Sequence, residues 1–419
     1  MYKYKFSFLA ISRQFEFVIK AVILEDLYQF LEDLFFVFSE FDEEKQQSVL
    51  DFKQNTPELY AEAEKIVAKY SKDIPQINGL TAYLRSLRRD EYFYFLPDIE
   101  VQSDVMSRIN AFLIAKSEGK EFEEVYDAIK EYWELRDTYS TKTYGDLRTS
   151  IGEPIKENRV CRFCSQRMGT VTFNDKAHAI SEALGNKNVI LFDECDQCNS
   201  RFSKTIEPDI VLFLSLFRTF FKIKGKDGVK DFKGKKFHVT NKDQLTIKFS
   251  GEQDSKPFSL PYKLKFQPDS SITKQNIYKS FCKYFLSVID SVELVHFKNT
   301  IEWINGKIEI QTLPRVAELM SYGTFTHQPK LTTCIRKKDD GTLPYAIGEF
   351  RFAIFVYVFI VPLCSKDEDD FINDESYNRF WHFFKVYGEM GKWGFHNLSP
   401  NIPGNFELTL NFESNKEKP

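Results

Sequence analysis

Hydrophobic and polar positions change their spacing soon after the start of the chain. Aromatic residues from Tyr2 to Phe8 alternate with polar residues, which is the period-two pattern of a half-buried strand. From about Phe15 to Phe41 the apolar residues instead recur at helical spacing between acidic pairs. The same pattern returns in residues 55–72, 99–117 and 119–138. Residues 1–150 are therefore predicted to form a mainly helical domain.

A stretch without periodicity follows these predicted helices. Residues 139–157 are rich in Ser and Thr and contain Gly145, Gly152 and Pro154, which favour turns. This segment is predicted to be a linker, with a domain boundary near residue 150.

The last part of the chain mixes strand and helix patterns. Residues 237–251 alternate as in a hairpin, residues 273–289 and 292–305 have helical spacing, and apolar runs resembling strands dominate from residue 307, including Phe350 to Leu363. Residues 222–419 are therefore predicted to form a mixed strand and helix domain that begins with a basic loop. The predicted fold class of the whole chain is α+β.

Length and composition exclude several classes of protein. The chain has 419 residues, of which 42% are hydrophobic and 28% are charged, so it has enough apolar surface for real cores and is not disordered. No run approaches the ~18 apolar residues of a membrane helix. The first twenty residues contain basic and acidic positions and no clean apolar core of a signal peptide. A cytoplasmic protein without a membrane partner is expected.

Charge is unevenly distributed along the chain. The net charge is −4, yet residues 151–250 carry more Lys and Arg than Asp and Glu, whereas residues 1–150 are acidic. A basic excess confined to the middle of an acidic protein indicates one surface that faces a polyanion.

Cysteine spacing gives the strongest chemical motif. The chain has 7 cysteines, and four of them form two pairs, Cys161 with Cys164 and Cys195 with Cys198. Each two-residue spacer lets the backbone turn back so that both sulfurs face one ion, and four thiolates can surround Zn²⁺ tetrahedrally. A thioredoxin-like redox motif needs only one such pair. The spacing therefore predicts one structural zinc ion.

The residues between and after these pairs resemble a known family. The first pair is followed by Ala177-His178-Ala179-Ile180, then Leu184-Gly185-Asn186, then an apolar strand from Val189 to Phe192, and the second pair is followed directly by Asn199. This order resembles the zinc-containing branch of the HNH endonucleases. The resemblance covers residues 158–207 closely and nothing before about residue 150. It implies a ββα-metal fold for a unit spanning residues 155–221.

The resemblance implies the roles of two residues. His178 would be the general base, and Asn199 would help to hold Mg²⁺ or Mn²⁺ against a scissile DNA phosphate. Their chemistry is suitable, because histidine titrates near neutral pH and an amide oxygen is a hard ligand. Nothing in the residues excludes RNA as the substrate.

One position departs from the family pattern. The residue before the general base is usually an acidic or histidine metal ligand, and here it is Ala177. Glu207 lies two helical turns after Asn199 and is the preferred replacement. Alternatives that the sequence does not rank are Asp175, Glu182, Asp193 and Asp196.

A lysine-rich segment follows the predicted nuclease unit. It runs from Lys222 to Lys236, and its charge and glycines favour contact with a phosphate backbone. The predicted nucleic-acid contacts are Lys222, Lys224, Lys226, Lys230, Lys233, Lys235 and Lys236, together with Arg201 and Lys204.

Two functions of different classes remain open. The first is a metal-dependent endonuclease, for which members of the family suggest a role as an effector in bacterial defence against phage, with residues 1–150 contacting a protein partner or regulator. The second is a zinc-knuckle module that binds nucleic acid or protein without catalysis. The alanine at position 177 favours this second function.

Overall fold

The structure is a computed structural model, and it describes residues 2–21, 25–42, 47–97, 103–225, 228–249, 262–321, 325–337, 341–384 and 393–412. The chain divides into two compact units, Met1–Asp137 and Thr138–Pro419. This division lies earlier than the predicted boundary near residue 150. The reason is that the predicted linker forms strands that pair within the second unit.

The first unit combines helices with β-sheets. Its strands are β1 (Tyr2–Ala10), β2 (Gln14–Ala21), β3 (Ser39–Asp42), β4 (Gln47–Leu50), β5 (Phe52–Gln54) and β6 (Tyr92–Leu96). Its helices are α1 (Glu25–Phe38), α2 (Pro57–Tyr70), α3 (Gly79–Ser86), α4 (Ser103–Glu118) and α5 (Phe122–Thr138), which ends at the boundary. One antiparallel sheet has the strand order β2-β1-β6-β5.

The predicted strand at the start of this unit is confirmed, but the predicted helix after it begins too early. Phe15, Phe17 and Ile19 belong to β2, which pairs with β1. They alternate along the chain, and Phe17 and Ile19 are buried on the same face of the sheet. The acidic helices pack on a four-stranded sheet. The prediction of a mainly helical domain did not include this sheet.

The second unit contains the remaining elements. Its strands are β7 (Tyr139–Tyr144), β8 (Thr149–Ile151), β9 (Ala177–His178), β10 (Val189–Leu191), β11 (Phe232–Gly234), β12 (Phe237–Asn241), β13 (Leu245–Phe249), β14 (Tyr262–Phe266), β15 (Ile272–Thr273), β16 (Val316–Met320), β17 (Thr326–Arg336), β18 (Ala346–Ala353), β19 (Phe355–Ile360), β20 (Gly394–His396), β21 (Pro403–Gly404) and β22 (Leu408–Phe412). Its helices are α6 (Asp196–Thr205), α7 (Glu207–Phe220), α8 (Lys274–Val288), α9 (Lys298–Ile304) and α10 (Asp374–Phe383).

A six-stranded sheet with the order β20-β16-β19-β18-β17-β7 forms the centre of this unit. Helix α8 packs on it, with the ring of Phe281 5.2 Å from that of Phe359. The apolar run predicted as one strand from Phe350 to Leu363 is split, because Ala353 has a φ of 53° and the chain reverses between β18 and β19. Among the described residues, no helix is long and apolar enough to cross a membrane.

The cysteine-containing region does not have a core of its own. Strands β8, β10 and β9 form a small sheet in that order, and α6 and α7 follow it. Cys161, Cys195 and Cys198 belong to the same buried cluster as Phe281 of α8 and Phe350 of β18. The predicted unit of residues 155–221 and the sheet of the C-terminal region therefore share one hydrophobic core.

The predicted hairpin after the lysine-rich segment is present. Strands β11, β12 and β13 form an antiparallel sheet. The lysine-rich segment and the hairpin after it are held against α7, since the Thr219 hydroxyl donates to Lys230 O at 2.8 Å and Asn241 Nδ2 of β12 donates to Phe220 O at 2.7 Å. The segment therefore has a defined position beside the cysteine-containing region.

Candidate functional site

The four paired cysteines converge on one point. The sulfur atoms of Cys161, Cys164, Cys195 and Cys198 all lie within 4.8 Å of one another, and Cys164 Sγ is 3.7 Å from Cys195 Sγ. Four thiolates at ~2.3 Å from a tetrahedral ion stand about 3.8 Å apart. The cluster can therefore hold a metal ion such as zinc. We call these residues the four-cysteine cluster.

Local backbone structure brings each pair of sulfurs together. After Cys164 the chain reverses at Ser165, which has a φ of 60° and donates its amide to Cys161 O at 2.8 Å. In the second pair, Cys195 precedes the first residue of α6, so Cys198 lies in the first helical turn. A tight turn and a helix start thus supply the two halves of the cluster.

Hydrogen bonds from protein groups support the sulfur atoms. The Cys195 amide donates to Cys161 Sγ at 3.5 Å, and Arg201 Nη2 donates to Cys198 Sγ at 3.3 Å. The Cys161 pKa is lowered, chiefly by a hydrogen bond with Cys198, whereas the same bond raises the pKa of Cys198 and burial raises the pKa of Cys195. One thiol of the cluster therefore ionises first, and a bound cation would favour the thiolate form of the others, which is the ligand form.

The Arg201 guanidinium group donates hydrogen bonds within the protein, to the four-cysteine cluster and to a neighbouring side chain. Its Nη2 also donates to Asn305 Oδ1 at 2.5 Å, and the residue is only half-buried. A phosphate that binds Arg201, as predicted, would therefore compete with Cys198 and Asn305 for the Nη2 group. Charged or polar groups that orient ligand atoms commonly tune metal sites.

A polar cavity of about 440 Å³ opens beside the four-cysteine cluster. It is lined by Asp175, Lys176, His178, Glu182, Lys187 and Asn199. His178 ends the short strand β9, which pairs with β10, and Asn199 follows Cys198 in α6. The structure thus brings together the two residues that the sequence selected. The cavity can accept a hydrophilic group beside one imidazole, one amide, two carboxylates and two ammonium groups, and Lys187 Nζ lies 3.9 Å from Glu182 Oε1.

The His178 imidazole is partly enclosed. Its side chain is 13% exposed, and Nδ1 lies 3.8 Å from Glu182 Oε2. Burial lowers the His178 pKa below its ordinary value of 6.5, while the Glu182 charge acts in the opposite direction. Burial disfavours the charged form of histidine, so the ring is neutral at pH 7 and can accept a proton.

Glu207 does not line this cavity. It begins α7, and its Oε1 lies 3.3 Å from the buried ammonium group of Lys283 in α8. Glu194 Oε2 lies 3.1 Å from the same nitrogen. The carboxylate preferred on the sequence is therefore directed toward a buried lysine, whereas Glu182 and Asp175, two of the alternatives, line the cavity.

The other two alternatives are engaged in structural hydrogen bonds. Asp193 Oδ1 accepts from the Glu153 amide at 2.9 Å, and its Oδ2 lies 3.4 Å from Arg162 Nη2. Asp196 Oδ1 accepts from the Asp175 amide at 2.9 Å, while its Oδ2 accepts from Asn174. Both carboxylates order the backbone around the cluster, and neither lines the cavity.

The lysine-rich segment begins close to the loop that carries Glu182. A Cβ atom at Gly185 would lie 2.8 Å from Ile223 Cγ2 and 3.1 Å from Lys224 O, so only glycine permits this approach. Lys226 lies outside the described residues. The remaining predicted contacts are exposed, and these are Lys204, Lys222, Lys224, Lys230, Lys233, Lys235 and Lys236.

Sequence reasoning did not identify Lys283. It lies on a helix whose apolar residues were recognised by their spacing, and its side chain is only 1% exposed. A lysine within an apolar helix could have indicated a buried charge. Its two partners, Glu194 and Glu207, are distant in sequence, so the ion pairs could not be predicted.

Comparison with known proteins gives no relative. No protein-family model, curated protein or solved structure matches the chain.

Proposed function

We propose that the protein is a metal-dependent endonuclease of the HNH type that hydrolyses DNA phosphodiester bonds. The observation that carries this proposal is the shared cavity of His178 and Asn199 directly beside the four-cysteine cluster. Zinc in the cluster would be structural, since four thiolates complete its coordination and no position is left for a reactant. The chemistry would take place in the polar cavity.

The residues of the cavity suit phosphodiester hydrolysis. Hydrolysis needs a base that deprotonates water and positive charge near the phosphate. The neutral His178 ring can accept the proton. Asn199 Oδ1 and the Glu182 carboxylate would hold Mg²⁺ or Mn²⁺, which prefer oxygen ligands. That ion, when bound, supplies charge that stabilises the transition state.

We propose Glu182 in preference to Glu207 as the carboxylate ligand. Glu182→Gln should lower cleavage strongly at low Mg²⁺, and higher Mn²⁺ should restore part of the rate because Mn²⁺ binds a poorer ligand set more tightly. Glu207→Gln should have the smaller effect on the Mg²⁺ requirement, since its carboxylate contacts Lys283. Initial rates measured over a range of both ions provide the check.

The opposite order of effects would restore Glu207 as the ligand. Equal and complete activity of both variants at low Mg²⁺ would direct attention to Asp175, the other carboxylate in the cavity. Unchanged zinc content in both variants serves as the control for folding.

The exposed lysines of the lysine-rich segment would hold the nucleic-acid backbone. Reversing Lys224, Lys235 and Lys236 to glutamate should weaken DNA binding and reduce the salt dependence of log K by about 0.9 for each phosphate that is no longer neutralised. Sequence preference should not change, because phosphate contacts carry no base information. Binding isotherms at several salt concentrations measure this slope.

A matched variant uses three exposed lysines of the acidic first unit, Lys65, Lys72 and Lys120. Their reversal should leave the slope unchanged. If the variant with Lys224, Lys235 and Lys236 reversed also keeps the salt dependence of the unmutated protein, the lysine-rich segment is an ordinary solvated loop.

One observation favours the second function, a zinc-knuckle module without catalysis. Ala177 is 1% exposed and offers no ligand atom. Introducing aspartate there would bury a carboxylate, so restoring the usual family residue is not a simple test. Under this function, the cluster and the exposed lysines bind nucleic acid or protein, and the cavity performs no chemistry.

A further inference from the structure

One lysine links three separate segments around the candidate site. Lys283 Nζ lies 3.1 Å from Glu194 Oε2 and 3.3 Å from Glu207 Oε1, and it donates to His178 O at 3.3 Å. The ammonium group therefore donates one hydrogen bond to a backbone carbonyl and forms ion pairs with two carboxylates.

The three partners come from the elements that build the site. Glu194 directly precedes Cys195 of the four-cysteine cluster, and Glu207 begins α7. His178 ends β9 and carries the imidazole of the cavity. The lysine itself comes from α8, which packs on the central sheet. The Lys283 side chain thus connects the segment that carries Glu194 and Cys195 to the strand that carries His178.

Stability alone is a weak explanation for such a group. The side chains of Lys283 and Glu194 are 1% and 0% exposed, so both lose their hydration. Buried ion pairs often contribute little net stability compared with apolar residues of similar size. Burial acts to lower the Lys283 pKa, but the two carboxylates raise it overall, so the ammonium stays charged, while burial raises the pKa of Glu194 to about 7.

We infer that Lys283 is a positioning residue. It fixes strand β9, which carries His178, relative to the segment that carries Glu194 and Cys195, and thereby relative to Asn199. This inference rests on the proposed nuclease function for its catalytic meaning, but the position of the His178 ring can be measured without catalysis. Lys283 is not among the described residues that line the cavity. It acts only through the backbone carbonyl of His178 and through the two carboxylates.

The test removes the ammonium group without leaving the fully buried carboxylate uncompensated. Lys283→Met alone would leave Glu194 buried beside Glu207 and can fail to fold. The double variant Lys283→Met, Glu194→Gln removes one positive and one negative charge and keeps Glu207. Lys279→Met is the matched control, because Lys279 is a second buried lysine on α8 and its ammonium lies 5.5 Å from the Trp303 ring instead.

Four measurements on the full chain decide the result: zinc content, unfolding, the His178 resonance and cleavage kinetics. We expect the double variant to keep its zinc content and cooperative unfolding, and to shift the NMR resonance of the His178 ring at constant pH. We expect kcat for DNA cleavage to fall on the order of tenfold to a hundredfold, with little change in KM, because misplacement of a reacting group affects the chemical step. The Lys279→Met variant should change neither the resonance nor kcat.

The possible failures are distinct. An unchanged His178 resonance and kcat in the double variant would overturn the inference. Loss of zinc or of cooperative unfolding would make Lys283 a structural residue and would also overturn it. If the unmutated chain cleaves no DNA, the proposed function fails, while the His178 resonance still shows whether Lys283 positions the ring.

Discussion

Replacing Cys198 by alanine is expected to abolish zinc binding by the four-cysteine cluster and to unfold the region around it. Structural zinc sites contribute apparent binding energies of ~10 kcal/mol or more, which is comparable to the whole stability of a domain, about 5–15 kcal/mol. Cys198 is 2% exposed and belongs to the core shared with α8 and the central sheet. The damage should therefore extend from the cluster to α8 and the central sheet of the second unit.

Metal analysis and thermal unfolding measure this effect. The unmutated protein should contain one equivalent of zinc per chain, and the variant should contain much less. Cys334→Ala is the matched control, because Cys334 is also 2% exposed but lies in β17 outside the cluster. Its loss of stability should stay within about 0.5–3 kcal/mol. Zinc far below one equivalent in unmutated protein never exposed to chelators would contradict the prediction.

Replacing His178 by alanine should abolish metal-dependent nicking of plasmid DNA. Removing a general base lowers the rate by about 10²–10⁴. The zinc content should remain unchanged, since His178 lies in the cavity and is not one of the four cysteines. His296→Ala is a suitable control, because His296 is also half-buried and does not line the cavity. Nicking by the unmutated chain with no divalent ion would contradict the metal dependence.

The same residue sets the expected pH dependence. A general base must be neutral, so the rate should rise with pH as His178 loses its proton. Burial lowers the His178 pKa below 6.5, and the midpoint of the acidic limb should lie below that pH. A midpoint above pH 7 would indicate a different base.

No cleavage by the unmutated chain with any divalent ion or DNA form would favour the second function, the zinc-knuckle module.

The four-cysteine cluster could be predicted because its geometry is encoded locally. Two-residue spacers place both sulfurs of a pair on one side of a turn, and this requirement is visible in the sequence. The structure confirms that the four sulfurs converge. His178 and Asn199 were selected from the resemblance to the HNH endonucleases; both line one cavity, and their roles stay a prediction.

Features that depend on distant segments were not predictable in the same way. Strand β7 was interpreted as linker because its polar residues lack periodicity, yet it pairs with β17 at the edge of the central sheet. Strand β8 pairs in parallel with β10 and was likewise missed. In both cases the hydrogen-bonding partner, and not the side-chain pattern, makes the segment a strand.

The same limit applies to the ligand choice. Helical spacing predicted that Glu207 lies two turns after Asn199 on one helical face, but helix α6 ends at Thr205 and α7 begins at Glu207. The continuous helical face assumed on the sequence is therefore interrupted. The nearby Lys283 then determines where the Glu207 carboxylate points.

The core that joins the cysteine-containing region to α8 and the central sheet affects the order of events during synthesis. Residues 1–137 form a compact unit, so it can fold while the ribosome is still extending the chain. The four cysteines emerge soon afterwards, but their packing partners in α8 and β18 emerge much later. Until then the thiols remain open to oxidants and to free metal ions. Capture of zinc by the nascent chain would protect them during this interval, so zinc supply at the time of translation should influence the yield of native protein.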